Sequence, residues 1–235
     1  GRPDLTKGGL MFTDRETVDK VEKMKVCTCL NPLHTCLAVF GCLLGYEKIS
    51  EEMKDTELKK LVEIVGYEEG LPVVVDPGIL DPKEFIDTVL TVRVTNPFMP
   101  DTPQRIATDT SQKLAIRFGE TMKAYVESET LDVKELKMIP LVLAGWLRYL
   151  LGINDDGEQF ELSPDPLLGE IRPCVEELRL GDKNVETAVR PIMEREDIFG
   201  INLYEIGLAD KVLGYLEELI AGKGAVRKTL KKYLQ

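Results

Sequence analysis

The chain has 235 residues, 43% of them apolar, and a formal net charge of −11. That length supports one large domain, or one domain with an appendage, around a core that needs no covalent staples. The charge excludes a broad nucleic-acid face or an anionic-membrane face, because nothing would neutralise the phosphates.

The opening GRPDLTKGGLMF lacks the apolar core of a signal peptide and reads as a linker over residues 1–12. No apolar run reaches the roughly 18–20 residues of a membrane span. Thr13 and Glu16 form a T-x-x-E capping box, followed by a Val18, Val21, Met24 stripe. Four of the five cysteines lie between Cys27 and Cys42. They read as reduced thiols, and the expected compartment is the cytoplasm.

Asn31-Pro32 offers a cap and a favoured first helical residue. Leu33, Leu37, Phe40 and Leu44 then make a core face, beside a small-residue face of His34, Ala38, Gly41 and Gly45 that admits close approach. Asp55 begins the next helix, weakened at Gly66 and limited at Pro72. VVVDPG (Val73 to Gly78) reads as a break, or as a short strand ending in a turn. Asp81-Pro82 starts another helix, and NPFMPDTP is a proline-rich loop. Leu114, Phe118, Met122 and Tyr125 mark a helical stripe. Asp132 caps an apolar helix running to Leu150 and kinked at Pro140. Helices follow near Leu167–Leu180, Val185–Glu196 and Leu208–Ala221, with a short one after Gly224. No strand–helix alternation appears, so the reading is one all-α domain over residues 13–235.

Three groups of residues are candidates for chemistry. Cys27, Cys29, His34 and Cys36 offer zinc-type ligands, but C-x-C before a Pro-begun helix departs from zinc-knuckle spacing, and packing is favoured. Asn31 and His34 lie about a turn apart and can both donate to an oxygen gaining negative charge; alternatively they cap and pack. Arg105, Asp109 and Lys113 fall at i, i+4 and i+8 of a continuous helix, as an ion-pair ladder or as a cationic clamp. GKGAVR (Gly222 to Arg227) lacks the third glycine of a dinucleotide fingerprint and any preceding strand.

The segments KVCTCLNPLHTCLAVFGCLLGY, EEGLPV, NPFMPDTPQRIATDTSQKL, DPLL and EDIFGINLY together resemble the C-terminal domain of the long-chain mannitol dehydrogenase family. That family includes mannitol dehydrogenases, fructuronate reductases and altronate oxidoreductases. The resemblance implies a multi-helical substrate domain of the 6-phosphogluconate-dehydrogenase C-terminal-like type. It also implies NAD or NADP chemistry on a polyol or sugar acid, without a metal, with the cofactor bound mainly by an N-terminal Rossmann-type domain that this sequence lacks. It assigns Lys25 as general acid/base, Asn31 and His34 to the reacting oxygen, and Arg105 and Lys113 to the substrate. The family spacing is K-x4-N-x2-H. Here five residues separate Lys25 from Asn31 and Val26 holds the strict position, so a one-residue bulge is expected before the helix, with Lys23 as the substitute base. The alternative is a non-catalytic helical interaction module or a degenerate fragment.

Overall fold

The computed structural model describes residues 3–234. Its regular elements among these residues are helical, joined by loops, with one isolated antiparallel bridge between Ile153 and Gln159. Residues 3–14 bury no side chain, and Leu10, Met11 and Phe12 are exposed. Part of the expected linker, Gly1 and Arg2, lies outside the described residues.

Helix α1 (Arg15–Met24) is capped by Asp14, whose carboxylate accepts from the Thr17 amide, rather than by Thr13. The helix starts one residue later than the T-x-x-E reading sets it, with Asp14 holding the extended backbone of a cap. Its stripe is only partly used: Met24 is buried, whereas Val18 is exposed. A π-helical turn (Lys25–Cys29) leads into α2 (Asn31–Leu44), buried over nearly its whole length. The continuous run from Arg15 to Leu44 is long enough to cross a membrane, contrary to the sequence expectation. Its most apolar window is 83% buried inside the fold, where it acts as the core helix.

Helix α3 (Ile49–Glu52) is one turn, and α4 (Thr56–Glu63) is capped by Asp55 as the sequence predicts. Around Gly66 the chain widens into a second π segment (Ile64–Gly70). Val73 to Gly78 forms no strand: Val73 ends a short 3-10 turn and Gly78 takes φ +73°. Helix α5 (Pro82–Thr88) starts at the predicted Asp81 cap, and α6 (Pro103–Ala107) follows the proline-rich loop. Helix α7 (Glu120–Glu127) continues a π segment, Ala115–Gly119.

Helix α8 (Met138–Tyr149) is buried on every side. Asp132 caps only a short 3-10 turn, Val133–Glu135, and α8 begins afterwards. Pro140 therefore sits in the first turn, where its missing N–H costs nothing, and it does not act as a mid-helix kink. The α8 N-terminus is satisfied from a distance. Glu69, on the second π segment, accepts from the amides of Lys137, Met138 and Ile139 at 2.6–2.7 Å. Helices α9 (Leu168–Val175), α10 (Glu186–Met193), α11 (Glu196–Phe199), α12 (Ala209–Leu219) and α13 (Ala225–Leu234) complete the shell. α12 packs along α8, and α13 returns to α4 and α2. Gly145 of α8 leaves room for the Phe40 ring of α2, 2.8 Å from where a Cβ would sit, so the two core helices meet closely.

Candidate active site

The site grows from the entry to α2. The Leu30 amide bonds to the Lys25 carbonyl five residues back, at 3.0 Å, and the His34 amide bonds to the Leu30 carbonyl four back, at 3.2 Å. The π turn thus absorbs one extra residue, and Lys25, Leu30 and His34 follow one another in successive turns along one side. This is where the expected one-residue bulge falls. The Lys25 amine stands 5.4 Å from the Phe85 ring centroid and does not line the cavity described below. Lys23 faces elsewhere and pairs with Glu120 at 3.4 Å.

Asn31 is the first residue of α2, and its carboxamide makes no cap hydrogen bond. The capping reading fails because Leu30, not Asn31, occupies the cap position. The carboxamide is left facing a cavity of about 210 Å³. His34 reaches the same cavity while only 7% exposed. Its Nδ1 lies 3.0 Å from the Leu30 carbonyl oxygen, which can only accept, so Nδ1 carries the proton. Burial chiefly, opposed by that hydrogen bond, lowers the imidazole pKa and keeps the ring neutral. Nε2 is therefore a lone pair, buried without a hydrogen-bond partner. In this tautomer Nε2 can accept a hydrogen bond.

The opposite wall comes from residues 93–117. Helix α6 approaches α2 closely at Gly41, where an added Cβ would lie 2.7 Å from Pro103 Cγ. The small-residue face of α2 thus seats α6 and brings Arg105 beside His34. The Arg105–Asp109–Lys113 ladder does not form. α6 ends at Ala107, and Asp109 takes a left-handed backbone with φ 54°. The chain turns, and Lys113 returns to the cavity with its ammonium donating to the Thr108 carbonyl. Burial first, then Arg117, lowers its pKa.

Four of the five residues singled out, Asn31, His34, Arg105 and Lys113, line one cavity; Lys25 does not. Sequence reasoning missed three polar wall residues, Arg93, Asp101 and Arg117. Asp101, 6% exposed, pairs with Arg105 and lies 3.7 Å from Arg93. Its Oδ2 is 3.8 Å from His34 Nε2. Arg117 donates to Thr35 Oγ1 at 2.6 Å. The available signal for Arg117 was an arginine inside the apolar stripe of Leu114 and Phe118. The wall carries four cations against one carboxylate, in a chain whose net charge is −11.

Two other motifs resolve structurally. Cys27, Cys29, Cys36 and Cys42 are buried, and burial pushes the thiols of Cys29 and Cys42 up to about 12. No group of three or more metal-type ligands occurs among the described residues. In GKGAVR the N-terminus of α13 is already filled: Asp155 accepts from the amides of Val226 and Arg227 at 2.8 and 3.0 Å. A dinucleotide phosphate has no free amides there.

Residues 17–219 match the family described as the mannitol dehydrogenase C-terminal domain. The chain is 57% identical to a D-mannonate oxidoreductase of Thermotoga maritima over 99% of its own length and 43% of that protein's. It is 28% identical to a D-mannonate oxidoreductase of Escherichia coli, over 73% of this chain and 34% of the relative. It therefore spans less than half the length of these relatives. The fold matches Pseudomonas fluorescens mannitol 2-dehydrogenase, solved with NAD and D-mannitol, at a TM-score of 0.82 and 24% identity, over 100% of this chain and 44% of that one. A D-sorbitol dehydrogenase matches at a TM-score of 0.78 and 25% identity, over the same shares.

Proposed function

Since the chain belongs to the mannitol dehydrogenase family as its C-terminal domain, we propose that it is the substrate half of an NAD(P)-dependent oxidoreductase. The enzyme interconverts a polyol or sugar acid with its keto form. Residues 1–12 lead from an N-terminal Rossmann-type domain, residues 13–235 form the helical half, and the enzyme works in the cytoplasm. The observation that carries this reading is the meeting of Asn31, His34, Arg105 and Lys113 on one polar cavity.

NAD or NADP, held mainly by the other domain, supplies the hydride acceptor when bound. The residues of this chain handle the oxygen. In the oxidation direction the reacting hydroxyl loses its proton to a lysine amine as the carbon loses hydride, and the C–O bond becomes a carbonyl; reduction returns both. Lys25 is the assigned lysine, carried on the side of the helix that leads to His34. The Asn31 amide donates to the oxygen as it gains negative charge, while His34 Nε2 accepts from a substrate hydroxyl. Arg105 and Lys113 hold the rest of the sugar. No metal ion is needed. Lys113 is the second candidate base, favoured by its place on the wall and its lowered pKa.

The test uses the full-length oxidoreductase with mannonate, mannitol and their keto forms, and both NAD and NADP. Lys25→Ala is expected to cut kcat by about 100-fold or more, with partial rescue by added amines. The same loss in Lys113→Ala but not Lys25→Ala transfers the base to Lys113. Turnover of none of these sugars by the parent enzyme refutes the reading in favour of a non-catalytic module.

A further inference from the structure

The four cations of the cavity differ in what the chain gives them. Arg93 and Arg105 share the buried carboxylate of Asp101. Lys113 donates to a carbonyl and lies in the field of Asp109 and Asp165. Arg117 has only a hydroxyl: Nη1 donates to Thr35 Oγ1 at 2.6 Å, and no ion pair to it exists among the described residues. Thr35 is itself fixed, donating to the Asn31 carbonyl at 3.0 Å. The guanidinium is thus held in place beside Asn31 and His34 with most of its donors unused. Burial pulls its pKa down to about 10.

A partly buried charge without a counter-ion is costly and is maintained where a ligand supplies the opposite charge. The planar fork of arginine matches a carboxylate, and a neutral sugar offers it no charge to neutralise. We propose that Arg117 is the carboxylate-binding residue of this site, and that it sets a preference for a sugar acid over the uncharged hexitol. This rests on the oxidoreductase reading above and narrows its substrate class.

The experiment measures two things on the full-length enzyme and its Arg117→Leu and Arg117→Lys variants. The first is the ratio of kcat/KM for mannonate to that for mannitol. This ratio is expected to fall about 100-fold in Arg117→Leu and about 10-fold in Arg117→Lys, which keeps the charge but loses the fork. The second is calorimetric binding of each sugar, where mannonate affinity should fall far more than mannitol affinity. An unchanged ratio, or equal losses of affinity for both sugars, overturns the proposal. A parent enzyme that binds mannonate through Arg117 but turns over neither sugar overturns the oxidoreductase reading alone. Circular dichroism and melting curves establish that the variants fold; should Arg117→Leu not fold, the Arg117→Lys comparison decides.

Discussion

Glu52 keeps both carboxyl oxygens buried with no hydrogen-bond partner among the described residues, against Gly41 of the core helix. Burial raises its pKa well above the ordinary 4.5, so the folded protein holds it neutral. The group's contribution to stability is full below its unfolded value and is lost as pH rises through the raised folded value. Glu52→Gln is therefore expected to flatten the alkaline side of the melting-temperature profile and leave the acid side nearly unchanged. Parallel profiles for parent and variant would contradict a buried neutral carboxyl. For His34, nitrogen-15 NMR at neutral pH should find the proton on Nδ1 and a bare Nε2. A protonated Nε2 removes the acceptor role assigned to it.

At the scale of elements, two devices position the site. One is the carboxylate of Glu69 at the N-terminus of α8, taking three amides that Pro140 and the break before Met138 leave without intrahelical partners. Glu69→Ala strips all three, and denaturant unfolding should show a loss of about 2 kcal/mol. The other is the glycine seat under α6. Gly41→Ala would thrust a methyl against the Glu52 carboxyl and Pro103, costing about 1–3 kcal/mol and displacing Arg105. A raised KM accompanying the lower stability is the expected result; lost stability with KM intact would detach Gly41 from the site. The π turn at Lys25–Cys29 takes up the extra residue before α2 by spacing one hydrogen bond five residues apart.

For the whole molecule, the C-terminal helix is held by charge. Arg227 of α13 pairs with Asp55 at 2.5 Å and with Glu57 at 2.9 Å, fastening the last helix to α4. Hydrogen bonds from Arg227, the Tyr46 hydroxyl and the Leu58 amide overcome the cost of burial and hold the Asp55 carboxyl at about 2. Asp55 then contributes stability above its unfolded value of 3.8 that disappears as pH falls towards 2, about 2 kcal/mol in all. Asp55→Asn should flatten acid unfolding over that window, measured by equilibrium denaturation at successive pH values. The cationic cavity within an acidic protein has a consequence at the same scale: association of a sugar acid should slow as salt rises.

Local chemistry settles most of the elements. The caps at Asp55 and Asp81, the proline at position 32 and the stripe from Leu114 to Tyr125 act within a turn or two of themselves. The same reach explains the misses. Nothing local distinguishes Asp14 from Thr13 as a cap, or shows that Asp109 will reverse the chain between Arg105 and Lys113. Asn31 and His34 stood out by residue type and spacing, whereas Asp101 and Arg117 gained meaning only when distant segments met. By itself the sequence determined helices, their core faces and the polar residues available for a site, because propensity, capping and periodicity are properties of neighbours along the chain. Only the tertiary structure decided which of those residues share a cavity, which imidazole nitrogen carries the proton and which arginine lacks a counter-ion, because burial and charge pairing depend on segments far apart along the chain, such as Thr35 and Arg117, 82 positions apart.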